Sequence, residues 1–249
     1  MWRLLICAIV LVIGSACSNS DGTSEVVSDA QQGSESGVDF LGIYAPPIFD
    51  GGGPPRRRPD VLPLSDAGRQ AVADYDPILD NPRIQDDCAL ESMPRLLWTG
   101  NPMELREHEG GTLIIHYERG NTIRSIFMNG EAPPEDQPNS HLGYSVGRWE
   151  GDVLTIDTTH MLGLHLSGGA EPLSLEARVT ERYWREPGSM DLQLELEIDD
   201  PVYYTELFTM GREYIWAPQE EIREWVCVDF GDSTAPPDID EMIRMLEEL

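Results

Sequence analysis

Between Asp191 and Asp199 the chain reads Asp-Leu-Gln-Leu-Glu-Leu-Glu-Ile-Asp, polar and apolar residues alternating without a break. Side chains of a strand point alternately to opposite faces, so this stretch demands a sheet with one face in a core and the other in water. The same signal recurs along the chain. Thr112 to Glu118 and Thr122 to Met128 flank Arg119-Gly120-Asn121; Gly143 to Glu150 and Val153 to Thr158 flank Gly151-Asp152; Leu173 to Glu186 and Ser189 to Asp199 flank Pro187-Gly188. Each pair reads as a hairpin closed by a glycine-containing turn. Tyr203 to Trp216 and Glu221 to Asp229, joined near Pro218, read as a fourth hairpin.

Consecutive strands joined by short turns predict an antiparallel meander, and closing a meander removes its exposed edges. The expected fold is therefore mainly β, with an up-and-down barrel or strongly curved sheet over residues 101–231, similar to the lipocalin and fatty-acid-binding class. A β-sandwich is the alternative. Small barrels can hold one ligand inside. Residues 38–100 read as an irregular segment packing on the barrel. Tyr44-Ala45-Pro46-Pro47 and the Gly51 to Pro55 run oppose extended helix or central strand. Arg56-Arg57-Arg58, in this Pro/Gly-rich loop, reads as a solvated turn pairing with nearby acids. A short helix begins after Ser65, its N-cap, and ends before Asp76-Pro77. Residues 232–249 read as a C-terminal helix, with Ile239, Met242, Ile243, Leu246 and Leu249 on one face.

The N-terminus has three parts: a charged start at Arg3, a short apolar run from Leu4 to Ile13, and small residues before Cys17. This is the layout of a secretory signal over residues 1–16. The run is shorter than the ~20 apolar residues a permanent span needs. Gly14-Ser15-Ala16-Cys17 resembles the lipobox of bacterial lipoproteins, which implies cleavage before Cys17 and lipidation of its sulfur. Ordinary cleavage after Ala16 is the rival. Residues 17–37 are rich in Ser, Gly, Asp and Gln and read as a disordered tether. In the resembling lipoproteins, Ser18 after the lipidated cysteine suits sorting to the outer membrane, facing the periplasm or cell surface. A soluble periplasmic protein is the alternative. Cys7 leaves with the signal, so Cys88 and Cys227 remain as one pair in an oxidising compartment and are expected to form a disulfide.

The formal net charge is −28, and all 17 basic residues are arginine. Such a chain repels phosphate backbones, which excludes nucleic acid as a partner. The expected partners are a membrane, reached through the lipid anchor, and a small-molecule ligand. Oligomeric state is not legible in the sequence.

Leu62 to Arg69, Ser92-Met93-Pro94-Arg95 and Gly143 to Thr159 together resemble a family of uncharacterised exported bacterial proteins built around a GRWEGD-x-L-x-x-(D/E)-T signature. The resemblance runs from about Asp39 to Asp229. It implies one fold and export, and brings no reaction with it. Relatives often carry His where this chain has Tyr144.

Residue by residue, the signature reads as structure. Gly151-Asp152 fits a two-residue turn, Trp149 can cover one end of a core, and Arg148 and Glu150 share a face. The catalytic candidates are His141, Asp157, His160 and Glu181, with His165 in the same Gly-rich loop as His160. A histidine beside a carboxylate can act as a general base at a barrel mouth. Asp157 shares a face with Val153 and Thr155, opposite Leu154 and Ile156. Of Glu181 and Arg182, one must point inward, and a buried Glu181 would need Arg95 or Arg212 as partner. Arg95, Arg182 and Trp184 are the ligand-binding candidates. No strict metal motif, phosphate loop, dinucleotide fingerprint or nucleophile elbow occurs, so no metal and no cofactor are expected. These features favour a lipid-anchored barrel that binds a ligand; a small-molecule hydrolase or isomerase is the alternative.

Overall fold

A computed structural model describes residues 39–47, 57–77, 79–80, 88–167 and 169–227. The expected signal, tether, Cys17 and C-terminal helix lie outside these residues. Nine strands close into a barrel: β1 (Gly42–Ala45), β2 (Met103–His108), β3 (Thr112–Tyr117), β4 (Thr122–Phe127), β5 (Tyr144–Glu150), β6 (Val153–Thr159), β7 (Arg178–Trp184), β8 (Leu192–Asp199) and β9 (Phe208–Trp216). Each strand pairs with its neighbour in sequence, and β9 returns to β1. The barrel is thus the expected fold, and the sandwich is excluded.

Three strand expectations need correction. The barrel is not wholly antiparallel, because β4 and β5 run parallel, with Ile126 opposite Ser145 and Phe127 opposite Val146. The long connection over 128–143 carries the chain back along the barrel before β5 starts, the crossover that parallel pairing requires. The fourth hairpin is not formed: residues 221–227 are irregular, and the free edge of β9 is taken by β1 through Tyr44–Trp216 and Ala45–Ile215. Last, Gly42–Ala45 is a strand paired on both sides, despite Pro46-Pro47. The prolines end the strand just past its last ladder position, so no pairing is lost. Gly42 adopts a positive φ of 127°, and a Cβ there would meet the Trp216 ring at 2.4 Å.

The alternation read from the sequence is obeyed on β8, where Leu192, Leu194, Leu196 and Ile198 are fully buried. They join Met103, Leu105, Ile115, Ile126, Leu154, Ile156 and Tyr183 in one core. One end of the barrel carries the turns after β2, β5 and β7 and the entry to β1; we call it the hairpin end. At the opposite end, a 3-10 turn (Arg95–Trp98) buries Leu96, Leu97 and Trp98. Arg212 Nη1 and the Tyr214 hydroxyl, both on β9, donate to the Leu97 carbonyl at 2.6 and 2.7 Å. Helix α1 (Asp66–Asp74) packs at this plugged end, its Ser65 side chain capping Gly68 N–H as expected. Gly68 lies against the Tyr203 carbonyl.

Cys88 and Cys227 form a disulfide with Cα atoms 5.1 Å apart. The chain just before it crosses the β3–β4 connection. Trp225 N–H donates to Asn121 Oδ1 at 3.0 Å, and its ring covers the Arg119 guanidinium at 4.1 Å. The bond thus ties the segment leading into the plug to the strap that lies over it.

Candidate functional site

The barrel's centre is polar and sealed. Arg124, pointing inward from β4, makes a fork to Glu181 of β7 at 3.1 and 2.6 Å. The same guanidinium donates to Ser145 Oγ at 3.1 and 3.0 Å and to Thr158 Oγ1 at 2.7 Å. Tyr183 completes the cluster by donating to Glu181 Oε2 at 2.8 Å. Arg124 is 1% exposed and Glu181 0%. Burial works against the Arg124 charge, but the Glu181 carboxylate outweighs it and holds the guanidinium firmly protonated. Burial first, and Glu181 second, push the Tyr183 phenol well up. Both Glu181 oxygens are met by protein donors, as a buried charge pair requires. These side chains and the leucines around them lie buried inside the barrel.

The outer face of the same strands carries an exposed ion-pair ladder. Arg148 pairs with Glu150 at 2.7 Å and reaches across to Asp157, whose Oδ1 also accepts from Thr180. Arg182 faces Glu197 at 3.5 Å and Glu195 at 3.9 Å. The Arg148 bond pulls the Glu150 carboxyl below its ordinary range, with burial opposing. The signature thus reads as architecture. Trp149 packs against Phe40 with ring centres 5.1 Å apart. A Cβ on Gly147 would fall 2.4 Å from the Met128 sulfur and 2.7 Å from Ile126.

The four catalytic candidates do not converge. Asp157 faces outward from β6 and Glu181 inward from β7, on opposite sides of one sheet. His141 and His160 lie at the plugged end, where Ser140 N–H donates to the His160 carbonyl and His141 accepts from Met93 N–H through its own carbonyl. His160 Nδ1 is 2.9 Å from Thr159 Oγ1. His165, stacked edge-on to Tyr75 at 4.9 Å, is held below its usual range by burial first and by Arg95 second.

The binding candidates separate too. Arg95 pairs with Glu91 at 3.0 Å at the plugged end, and so cannot serve Glu181. Arg212 Nη1 donates to the Leu97 and Thr99 carbonyls rather than to Glu181. Arg182 is on the outer ladder, and outward-facing Trp184 donates to Glu186 at 2.9 Å. The true partner of Glu181, Arg124, was not foreseen. Its signal was present: Arg124 lies two positions before Ile126, hence on the same face. Ile123 masked it by making the strand's pattern ambiguous, and Ile123 proves 54% exposed.

The hairpin end carries a cleft of about 670 Å³, lined by Asp39, Leu41, Asp152, Arg185, Met190 and Trp216 among others. Four stretches build it: the entry to β1, the β5–β6 turn, the β7–β8 connection and the end of β9. Arg185 Nη1 donates to the Asp39 carbonyl at 2.8 Å, and Nη2 donates to the Tyr44 hydroxyl. The guanidinium lies 5.3, 5.8 and 5.6 Å from the Phe40, Tyr44 and Trp216 ring centres. Sequence reasoning missed this cleft, because its walls come from positions far apart in the chain.

Comparison with known protein families, with curated proteins and with solved structures gave no match. Among the described residues no group of three or more His, Cys, Asp and Glu is placed to hold a metal, and no helix is long and apolar enough to cross a membrane. The site's chemistry therefore rests on its own geometry.

Proposed function

We propose that this chain is an exported envelope protein, anchored by acyl chains on Cys17, whose barrel binds a small, partly apolar ligand at its hairpin end. The charged start, apolar run and small residues before Cys17 support export and anchoring. Outer-membrane placement is the accompanying expectation, and a soluble periplasmic protein results if cleavage after Ala16 proceeds without lipidation. Membership of the GRWEGD family belongs to the same proposal and rests on the quoted motifs.

One observation carries the binding reading: an open cleft of about 670 Å³ combines the apolar walls of Leu41, Met190 and Trp216 with a guanidinium. Concave, mostly apolar surfaces with a few placed polar groups are where small ligands bind. The catalytic alternative requires His141, Asp157, His160 and Glu181 around one substrate, and their positions on opposite faces and at the plugged end oppose it.

Native mass spectrometry of the mature protein, taken from a bacterial envelope, tests both parts. The expected masses are a chain starting at Cys17 with acyl chains attached, and the same chain with a retained small molecule. A chain without acyl mass would overturn the anchor. A bare chain, together with no response of the cleft to any small-molecule library, would overturn the binding reading.

A further inference from the structure

Several of the protein's arginines are held by a carboxylate; Arg185, like Arg57 and Arg212, is held by neutral acceptors. Arg58 faces Glu171, Arg95 faces Glu91, Arg124 faces Glu181, Arg148 faces Asp157 and Arg182 faces Glu197. Arg185, in a chain of net charge −28, hydrogen-bonds only to neutral acceptors, the Asp39 carbonyl and the Tyr44 hydroxyl. Burial raises the Tyr44 phenol, and although Arg185 pulls it the other way, burial wins. The hydroxyl therefore stays neutral and does not compensate the guanidinium. Arg185 Nε is buried and has no hydrogen-bond partner. A guanidinium carries five N–H donors; with Nε–H buried, the Nη hydrogens not given to Asp39 and Tyr44 remain for a ligand.

The three aromatic rings fix the guanidinium at the cleft wall through their π-faces. They supply no counter-charge, and a partly desolvated cation gains most from an anion brought to it. Beside it, Leu41, Met190 and Trp216 offer apolar surface for the rest of a ligand. Asp39, Asp152 and Glu186 also line the cleft. Their charges repel a dianion more strongly than a monoanion.

Building on the binding reading above, we infer that the cleft takes a small organic monocarboxylate with an aromatic or other apolar body. Its carboxylate pairs with Arg185 and its body lies against Trp216 and Met190. Phosphate and sulfate esters are disfavoured by the acidic rim.

The experiment titrates the purified mature protein with phenylacetate, phenylacetamide and phenyl phosphate, reading the Trp216 indole N–H and the Met190 methyl by NMR. Phenylacetate is expected to shift both signals saturably, the amide to bind at least about ten-fold more weakly, and the phosphate more weakly than the acid. Arg185→Gln should abolish the preference for acid over amide. Because that change can also loosen the aromatic cluster, Asp152→Asn, on an exposed turn, is the second variant. It should tighten phenylacetate a few-fold by removing like-charge repulsion, and unchanged or weaker affinity would overturn the charge assignment. Equal binding of acid and amide would overturn the carboxylate class but leave the cleft a binding site. No shift with any probe, alongside a small molecule retained in native mass spectra, would do the same. No shift and no retained molecule would overturn both readings.

Discussion

Glu181 and Arg182 are neighbours on β7, and both are ion-paired, yet the two pairs live in different media. Glu181 meets Arg124 inside the barrel, with both side chains essentially inaccessible. Arg182 meets Glu195 and Glu197 outside, at the surface. One step along a strand exchanges a low-dielectric core for water, and with it the meaning of a salt bridge. Inside, the desolvation already incurred makes each partner indispensable to the other. Outside, water and salt screen the charges, and the side-chain entropy of holding them offsets most of the attraction.

The sharpest way to break this contrast is to strand a charge. Glu181→Ala leaves Arg124 buried and unpaired, and urea denaturation should show a loss of about 3–5 kcal/mol. The double replacement Arg124→Met with Glu181→Leu should recover a large part of that loss, because no lone charge remains. A double variant as unstable as the single one would show that the hydroxyl partners Ser145, Thr158 and Tyr183 carry the cost instead. Gly147→Ala probes the same interior by shape alone. Its methyl group would intrude on Met128 and Ile126, and the expected loss is about 1–3 kcal/mol by the same measurement.

The outer ladder should respond weakly. Arg148 and Asp157 side chains are 48% and 45% exposed. Arg148→Ala should cost less than about 1 kcal/mol, and the difference should vanish in molar salt. A loss comparable with that of Glu181→Ala would erase the distinction between the two faces.

Between the extremes stands His165, half-buried at the plugged end. Folding depresses its pKa, so the unfolded chain binds this proton more readily, near the ordinary value of about 6.5. Its contribution is whole above that value and is lost as pH falls through and below it. Urea midpoints at pH 7.5 and 5.5 should therefore fall more steeply on acidification in the wild type than in His165→Gln. Parallel falls would assign the acid sensitivity to the carboxylates alone.

Much of the barrel was readable in advance because strand periodicity is local. The three hairpins centred on Gly120, Gly151 and Pro187-Gly188 carry their pattern and turn chemistry within about 25 residues each. The Cys88–Cys227 bond was readable once Cys7 and Cys17 were assigned to the expected signal and anchor, which left one pair. The candidate site was not readable, because each of its parts looks ordinary alone: Arg185 follows a strand, Leu41 and Asp39 stand before four strand residues, and Trp216 ends β9. Asp157 was placed on the right face, but its partners Arg148 and Thr180 were not legible, since alternation says which side a residue takes but not who waits there.

What the sequence by itself determined, then, is the alternation, the turns, the helix cap at Ser65, the single cysteine pair and the acidic surface. These depend on residues close in the chain or on composition. Only the tertiary structure decided that β1 closes the barrel against β9, that β4 and β5 run parallel, that Arg124 answers Glu181, and that Arg185 faces a cleft among aromatic rings. Those pairings join segments tens to well over a hundred residues apart. They are selected by packing and by the cost of leaving a strand edge or a buried charge unmet, terms that no local pattern contains.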